Sequence, residues 1–499
     1  SIEREMKEKI KSCIFESYHL LNVISNTNSK NTEKLEKWLN DTAGSISLIC
    51  SEVEWTSKCY QGLLNNSLDE KPSKLQKKNI TTKDIWSVIK NQAFKNLNDL
   101  ISIIRKSNNE LLKKKVITLI TVEVHHKDLL DILSSCISNS FEWSSQLRFY
   151  KHDETGEKSN LSIEQNAAKF EYGYEYQGNN GRLVITPLTD RCYLTLTNAM
   201  HFKRGGNPQG PAGTGKTETV KDLGKCMGRF VFVFNCSEGL DANNMKNMFE
   251  GFAQTGFWGC FDEFNRIEID VLSVVAIQIN TILEAISAEK KVFDFEEKEI
   301  PLNFNCALFI TMNPGYLGRS ELPDNLKALF RPISMIVPDS VQICRIALQA
   351  EGFKNADFLS KKIEILYNLM KQTLSRQDHY DFGLRAMKTV FSMAGEIRRT
   401  FNFDDAINKK EPENILEQKI FLKAIYNSNE PKFVSSDIQI FESILTDLFP
   451  DRETNSKGED SNDFIMAIDH VMNIMNLDKI NYFVDKISQI YNTKNSRHG

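Results

Sequence analysis

One eight-residue stretch limits the folds open to this chain more than any other: Gly210-Pro211-Ala212-Gly213-Thr214-Gly215-Lys216-Thr217. It fits G-x-x-x-x-G-K-[ST], a loop that joins a strand to the N-terminus of a helix and cradles nucleotide phosphates. The glycines let successive backbone N–H groups turn toward the α- and β-phosphates. Lys216 reaches the β- and γ-phosphates, and the Thr217 hydroxyl ligates Mg²⁺. Glu218, the next residue, completes the candidate nucleotide-binding set. A strand is expected before the loop at residues 192–196, and a helix after it at 218–226.

The 499 residues suffice for about three domains. Hydrophobic residues make up 41% of the chain, and the net charge of −4 offers no electrostatic case for nucleic acid. Ten cysteines are scattered without a C-x-x-C pair, and several lie in apolar runs. They read as buried thiols of a reducing compartment, not as disulfides or zinc ligands. Nothing approaches an uninterrupted apolar run of about 18 residues, so no transmembrane helix and no membrane partner are expected. The first residue is Ser1, and the chain reads as a piece of something longer.

Residues 1 to about 145 have apolar positions at helical spacing, as in Ile14, Leu20, Leu21, Ile24 and again Leu97, Leu100, Ile101, Ile104. Residues 65–78 are polar, carry Pro72, and predict a surface loop; the charged stretch 151–160 predicts a separator. From Tyr172 the pattern turns to strands and turns, with candidates at 172–176 and 183–185. Apolar segments at 230–234, 257–261 and 306–311 then alternate with helical ones, which predicts a parallel α/β sheet. Residues 292–295 and 300–302 flank a run of charge and predict a small hairpin. After about Pro338 the chain is helical again, and a polar break at 451–463 opens a helical tail.

Two further segments carry chemistry. Trp258-Gly259-Cys260-Phe261-Asp262-Glu263 is an apolar strand ending in two carboxylates, 46 residues after Lys216. A strand beside the phosphate loop delivers its terminal carboxylate to the metal, so Asp262 is assigned to Mg²⁺ opposite Thr217. Glu263 is assigned to orienting and activating the attacking water. Phe309-Ile310-Thr311-Met312-Asn313 is a buried strand ending in an amide, and Asn313 can hydrogen-bond the water and the γ-phosphate together. Taken alone, an Asn before Pro-Gly is a turn former. Arg385, in Tyr380-Asp381-Phe382-Gly383-Leu384-Arg385, is a fourth candidate: an arginine on a helical lid that senses the γ-phosphate. Leu183, Val184 and Pro187 suit an apolar adenine slot, and a plain buried strand is an equal reading of that patterning.

These residues, in this order, resemble the first AAA+ module of a dynein heavy chain. The resemblance rests on residues 172–176, LVITPLTDRCY (183–193), GPAGTGKTETVKDL (210–223), CFDEFNRI (260–267), FITMNPGYLGRSELPDNLKALFRP (309–332) and QDHYDFGLRA (377–386). Before them, Trp38-Leu39, Glu54-Trp55-Thr56, the segment 124–128 and the segment 141–150 resemble the end of the dynein linker, which makes His125 and His126 packing residues. The resemblance implies a linker segment over 1–150, a connector over 151–182 and an α/β P-loop subdomain over 183–337. It further implies a helical lid over 338–450 and the start of the next AAA+ module over 451–499, with residues 497–499 opening that module's first strand.

The same resemblance implies an ATPase that uses Mg²⁺ and drives minus-end-directed movement along microtubules through linker motion. Lys216, Glu263, Asn313 and Arg385 would be its catalytic and sensing residues. Implied partners are the microtubule, neighbouring AAA+ modules of the same chain, and intermediate and light chains. The site would be completed by an arginine from the following module. Arg331 sits where such modules present an arginine to a neighbour, and in dynein the site facing that edge is usually idle. Phe257 and Glu297 depart from the family, Glu297 standing where a turn glycine is usual. The phrases at 378–381 and 330–335 resemble axonemal heavy chains, inner-arm ones among them, more than the cytoplasmic one. That implies a cytoplasmic, cytoskeletal and axonemal location. Two other readings share the motifs: a module that holds ATP without hydrolysing it, against which Glu263 argues, and an unrelated AAA+ remodelling ATPase, against which the segment around Trp143 argues.

Overall fold

A computed structural model describes residues 2–25, 31–69, 82–107, 109–152, 159–237, 239–314, 321–400, 412–450 and 462–497. By their contacts they divide into two units, residues 1–103 with 108–338 and residues 104–107 with 339–499.

The first unit opens with helices α1 (Ile2–Ser25), α2 (Asn31–Asp41), α3 (Gly44–Asp69), α4 (Thr82–Lys106), α5 (Glu110–Leu133) and the short α6 (Phe141–Ser144). The helical spacing holds for Ile14 and Leu21, which are buried, whereas Leu20 faces out at 56% exposure. Asn109 caps α5 by accepting from the Leu111 and Leu112 N–H groups. Trp55, Cys59, Leu63, Trp86, Leu130, Leu133 and Trp143 form one core of this region. Helix α3 continues through residues expected to form a surface loop, as far as Asp69; residues 70–78 of that expectation lie outside the described ones.

The charged stretch 151–160 is expected to be a separator; its residues 153–158 lie outside the described ones, and the chain on either side of them is a strand. The described residues here form a three-stranded antiparallel sheet: β1 (Arg148–His152), β2 (Asn160–Gln165) and β3 (Ala168–Glu171), with Phe149 opposite Ile163 and Ile163 opposite Phe170. Lys151 and His152 are exposed at the end of β1, while Phe149, Leu161 and Ile163 are buried. Residues 172–176, expected as a strand, are not one: the Tyr172 N–H still donates to the Leu161 carbonyl of β2, and the Gly173 N–H then turns to the Met227 carbonyl.

Residues 192–196 are not a strand. They lie within helix α7 (Pro187–His201), started by a capping box between Thr186 and Thr189 with Pro187 in the first turn. Cys192, Tyr193, Leu196 and Ala199 then fall on the buried face. The strand before the phosphate loop is β4 (Gly205–Gln209), a Gly-Gly-Asn-Pro-Gln sequence that strand propensity argues against. Packing requires its glycines: a Cβ on Gly205 would lie 2.3 Å from the Phe330 ring, and one on Gly206 2.3 Å from Leu196. Residues 183–185 are likewise no strand; the Leu183 N–H is spent on a side chain.

The chain then alternates as expected of an α/β fold: α8 (Lys216–Cys226), β5 (Val231–Asn235), α9 (Ala242–Thr255), β6 (Trp258–Asp262), α10 (Ile269–Ser287), the hairpin β7 (Val292–Phe295) and β8 (Lys298–Pro301), β9 (Ala307–Ile310), α11 (Asp324–Leu329) and β10 (Phe330–Ser334). Five strands form a parallel sheet in the order β10-β4-β9-β6-β5. Helix α10 is by length and composition apolar enough to cross a membrane, although Asp270, Gln278 and Asn280 interrupt its apolar run. Half of that window is buried, and Leu272, Val275, Ile279, Ile282 and Ile286 join the core around Phe261 and Phe264. Apolar content marks a core helix as readily as a membrane one.

The second unit is helical: α12 (Ser340–Ala350), α13 (Ala356–Thr373), α14 (Leu384–Thr400), α15 (Glu413–Asn429), α16 (Ser435–Leu448), α17 (Asn462–Ile474) and α18 (Asn481–Arg497). Its core holds Phe353, Leu366, Phe391, Phe421 and Phe441. Most of the polar break at 451–463 lies outside the described residues, and α17 starts within it at Asn462. Arg497, expected to open a strand, ends α18; His498 and Gly499 are outside the described residues.

Candidate active site

Parallel strands direct their C-terminal ends to one edge of the sheet, where ligands of such folds bind. Here β4 runs into the phosphate loop, while β6 ends beside it at Asp262 and β9 at Ile310, just before Thr311. The loop is set by its backbone. Gly213 and Gly215 take φ of +79° and +80°, a region L side chains rarely adopt. A Cβ on Gly210 would lie 2.1 Å from the Met335 carbonyl oxygen. Pro211, Ala212 and Gly213 are exposed, and Gly215 caps the N-terminus of α8. An eleven-residue helix aimed this way presents N–H groups and a positive dipole end to an anion. Lys216 is 7% exposed and donates from Nζ to the carbonyls of Gly210 (2.9 Å) and Pro211 (2.7 Å), which keeps the ammonium inside the loop.

Four of the expected polar residues, Thr217, Asp262, Glu263 and Asn313, converge. Thr217 Oγ1 donates to Asp262 Oδ1 at 2.7 Å. Thr311, which the sequence reading passed over, donates its hydroxyl to the same oxygen and accepts from the Glu263 N–H at 3.1 Å. Asn313 Nδ2 donates to Glu263 Oε1 at 3.1 Å, and Arg266 Nε pairs with Glu263 Oε2 at 2.6 Å. Glu263 has φ 54° and ψ 41°, left-handed for a non-glycine residue; this turn directly after β6 brings its carboxylate back beside Asn313. Asn313 is 5% exposed, and its Oδ1 has no hydrogen-bond partner among the described residues. A buried acceptor left open at the end of the sheet suits a donor from outside the protein. The two carboxylates mark the local potential: the Cys236 thiol is pushed up to about 12, first by burial and then by Asp262 and Glu263.

The donor set fits a hard divalent cation. A threonine hydroxyl and a carboxylate oxygen 2.7 Å apart at the mouth of a phosphate loop are the partial protein ligation Mg²⁺ takes beside phosphate. Among the described residues no group of three or more His, Cys, Asp or Glu is assembled that could hold a metal by itself. His125 and His126 serve packing: His126 stacks on Trp55 with centroids 4.4 Å apart, and its Nε2 lies 3.0 Å from Glu52.

Other expected positions fall as follows. Leu183 and Val184 are half-buried ahead of α7, and Pro187 is exposed at its first turn. Glu218 is exposed on the first turn of α8. Arg331 is exposed on the edge strand β10, in register with Gly206. Arg385 is exposed on the first turn of α14, in the second unit. Residues 315–320, part of one segment carrying the family resemblance, lie outside the described residues.

The sequence reading also missed Arg182 and Asp222. Both are buried side chains joined behind the loop, with Arg182 Nε 3.1 and 3.2 Å from the two carboxylate oxygens. Burial alone would lower the Arg182 pKa, yet Asp222 and its neighbours raise it well above the ordinary value. Nothing local in the sequence marks the pair, since the residues are 40 apart.

A glycine-rich loop at the head of a helix, with a strand-end Asp-Glu and an Asn on adjacent parallel strands, defines a P-loop nucleoside-triphosphatase module. Comparison with known proteins narrows the class. The family model described as the hydrolytic ATP binding site of dynein motor region matches residues 172–499, and the chain belongs to that family. It is 45% identical over 468 residues to human dynein axonemal heavy chain 2, covering 93% of this chain and 10% of the relative. It is also 45% identical over 485 residues to the dynein-1-beta heavy chain of the flagellar inner arm I1 complex of Chlamydomonas reinhardtii, covering 96% and 10%. Human dynein axonemal heavy chain 1 matches at 42% over 503 residues, covering 100% and 11%. The chain thus spans about a tenth of the length of these relatives. It is an AAA+ ATPase module of a dynein motor region.

Proposed function

We propose that this module binds Mg-ATP at the phosphate loop and hydrolyses it with Glu263 as the water-activating base. In this reading the loop N–H groups and Lys216 hold the phosphates. Thr217 and Asp262 hold Mg²⁺, which when bound offsets phosphate charge. Asn313 orients the water through its open Oδ1. The water oxygen forms a bond to the γ-phosphorus as the bond to the bridging oxygen breaks, and the water's proton passes to the Glu263 carboxylate; ADP and phosphate result. Arg385 keeps the sensing role that the family resemblance gives it. In the whole heavy chain, hydrolysis would move the linker, for which residues 1–150 are proposed, and drive minus-end-directed travel along microtubules. Neighbouring AAA+ modules and intermediate and light chains would be its partners, and the names of the relatives support an axonemal arm.

The observation that carries this is the chain of contacts Thr217–Asp262–Thr311–Glu263–Asn313 at the end of the sheet. Two variants test it together. Lys216→Ala removes the charge that meets the phosphates, so binding of a fluorescent ATP analogue is expected to vanish. Glu263→Gln keeps the shape and loses the base, so binding should persist while turnover falls about 10²–10⁴-fold. Hydrolysis by the Gln variant at the parent rate would remove Glu263 from the mechanism and leave a module that merely holds nucleotide.

A further inference from the structure

The carboxylate of Asp222 lies where two parts of the nucleotide site are tied together. It is carried on α8, six residues after Lys216, or about 9 Å along the helix axis. Asp222 is 2% exposed. Its Oδ1 accepts from the Leu183 N–H at 2.9 Å, so the backbone of the candidate adenine slot is pinned directly to the phosphate-loop helix. Tyr193 of α7 donates its hydroxyl to Oδ2 at 2.5 Å, and Arg182 Nε spans both oxygens. Residue 222 therefore fixes three separate stretches of chain, at 182–183, at 193 and along α8.

The network does not stop there. Arg182, whose side chain is 5% exposed, also places Nη1 3.6 Å from Oε1 of Glu52 of α3, whose side chain is 9% exposed. Glu52 in turn holds His126 of α5 through Nε2 at 3.0 Å. Burial alone would raise the Glu52 pKa; His126 and Arg182 outweigh it and hold the carboxyl below its ordinary value. Two carboxylates from different regions thus share one buried guanidinium, one on the nucleotide helix and one on the helical segment. Charge-assisted contacts in such surroundings are strong, and removing one partner is costly to the other.

We propose that Asp222 and Arg182 are positioning residues that set the spacing between the adenine slot and the phosphate loop, and that Glu52 makes this spacing depend on the preceding helical segment. The inference rests on the nucleotide-site reading above. Its consequence is selective. Phosphates are held by the loop backbone and Lys216, neither of which uses the clamp. The base would be held by Leu183 and Val184, which do depend on it. Loosening the clamp should cost binding energy that comes from adenine and leave the energy that comes from phosphate.

The test compares equilibrium binding of Mg-ATP and of inorganic tripolyphosphate to the 499-residue chain, for the parent, Asp222→Asn, Arg182→Lys and Glu52→Gln. Asp222→Asn is expected to weaken ATP binding about tenfold while tripolyphosphate binding is unchanged. Arg182→Lys keeps the charge and loses the fork, so a smaller loss confined to ATP is expected. Glu52→Gln should lose least, in the same ligand only. Equal losses for both ligands would make the network a general support of the fold and overturn the proposal. Unaltered ATP affinity in the Asp222 and Arg182 variants would overturn it as well. If Asp222→Asn does not fold, the Arg182→Lys ratio decides by the same criteria. A parent chain that binds ATP no better than tripolyphosphate would instead strike the adenine slot itself. A parent chain that binds neither would strike the phosphate-loop reading.

Discussion

In the phosphate loop, Gly213 and Gly215 stand at positive φ, and Glu263 does the same at the end of β6. In α3 and α5 no described residue does, and what distinguishes those helices is the polar groups they bury: Ser47, Ser51, Glu52, Glu54, Thr56, Thr118, Thr121 and His126. Among the described residues, five of the eight non-glycine ones at positive φ, namely Lys203, Glu263, Glu289, Glu296 and Glu297, fall between 183 and 337. The α/β region is thus held where it is by backbone conformations that particular residues at particular spacings must supply. The helical segment is held by side chains that find one another across long separations. Phe149 N–H donating to Thr56 Oγ1 at 3.1 Å, across 93 residues, is typical of it. Backbone constraints leave contiguous marks in a sequence; side-chain meetings do not.

The first way to break this comparison is to remove packing from the helical segment. Trp143 is 1% exposed, sits 5.9 Å from the Trp55 ring, and has the Arg148 guanidinium 5.6 Å above its own ring. Trp143→Ala is expected to cost about 3–5 kcal/mol in urea denaturation, the usual range for a buried aromatic. A loss below about 1 kcal/mol, the range of exposed positions, would mean that packing at Trp143 does not hold the segment.

A smaller effect sharpens the comparison through pH. His125 is pushed down to about 3, chiefly by burial and then by His126 and Arg182, with Glu52 opposing. Asp190 faces it at 3.8 Å and is itself raised to about 7 by burial, so it carries little counter-charge below neutrality. With the folded pKa below the ordinary value of 6.5, the unfolded chain binds the proton more readily between pH 6.5 and about 3. His125 therefore contributes stability that is fully present above about 6.5 and is lost as pH falls toward 3. The stability of the parent minus that of His125→Asn, from urea midpoints at pH 7.5 and 5, should fall with pH. A difference that stays flat would show that His125 is not kept neutral by the fold.

The same contrast explains what could be read beforehand. Lys216, Thr217, Asp262, Glu263 and Asn313 were legible because each sits at a fixed offset from a strand end or a glycine. Strand β4 was not: Gly205, Gly206 and Pro208 argue against a strand, and only the approach of Phe330 and Leu196 makes the glycines necessary. The aromatic Tyr193 gave residues 192–196 the look of a strand, although the start signal for a helix stood a few residues earlier at Thr186, Pro187 and Thr189. Thr311 lay in plain view as a polar residue in an apolar strand, and that signal alone could have flagged it. Arg182, Asp222 and Glu52 offered none, since Glu52 and Arg182 are 130 residues apart and meet only once α3 and α8 are in place.

The smallest effect tests the backbone side of the comparison at its weakest point. The hairpin between β7 and β8 turns through Glu296 and Glu297, at φ 47° and 69°. A two-residue turn with both residues at positive φ follows the twist of the strands and favours Asn or Gly. The two glutamates are not equivalent. Glu296 pairs with Lys246 and accepts from Gln278, each at 2.7 Å, so its side chain returns some of what its backbone costs. Glu297 is exposed, and its side chain makes no hydrogen bond or ion pair among the described residues. A left-handed non-glycine residue costs roughly 1–2 kcal/mol, and the added freedom of glycine in the unfolded chain takes back roughly 0.4–1 kcal/mol. Glu297→Gly is therefore expected to raise stability by up to about 1 kcal/mol. Glu296→Gly should gain less or lose, because the Lys246 pair goes with it. Urea denaturation of both variants decides between them. A destabilised Glu297→Gly would mean that left-handed backbone in this region carries no strain to relieve, and the contrast drawn with the helical segment would then rest on the phosphate loop alone.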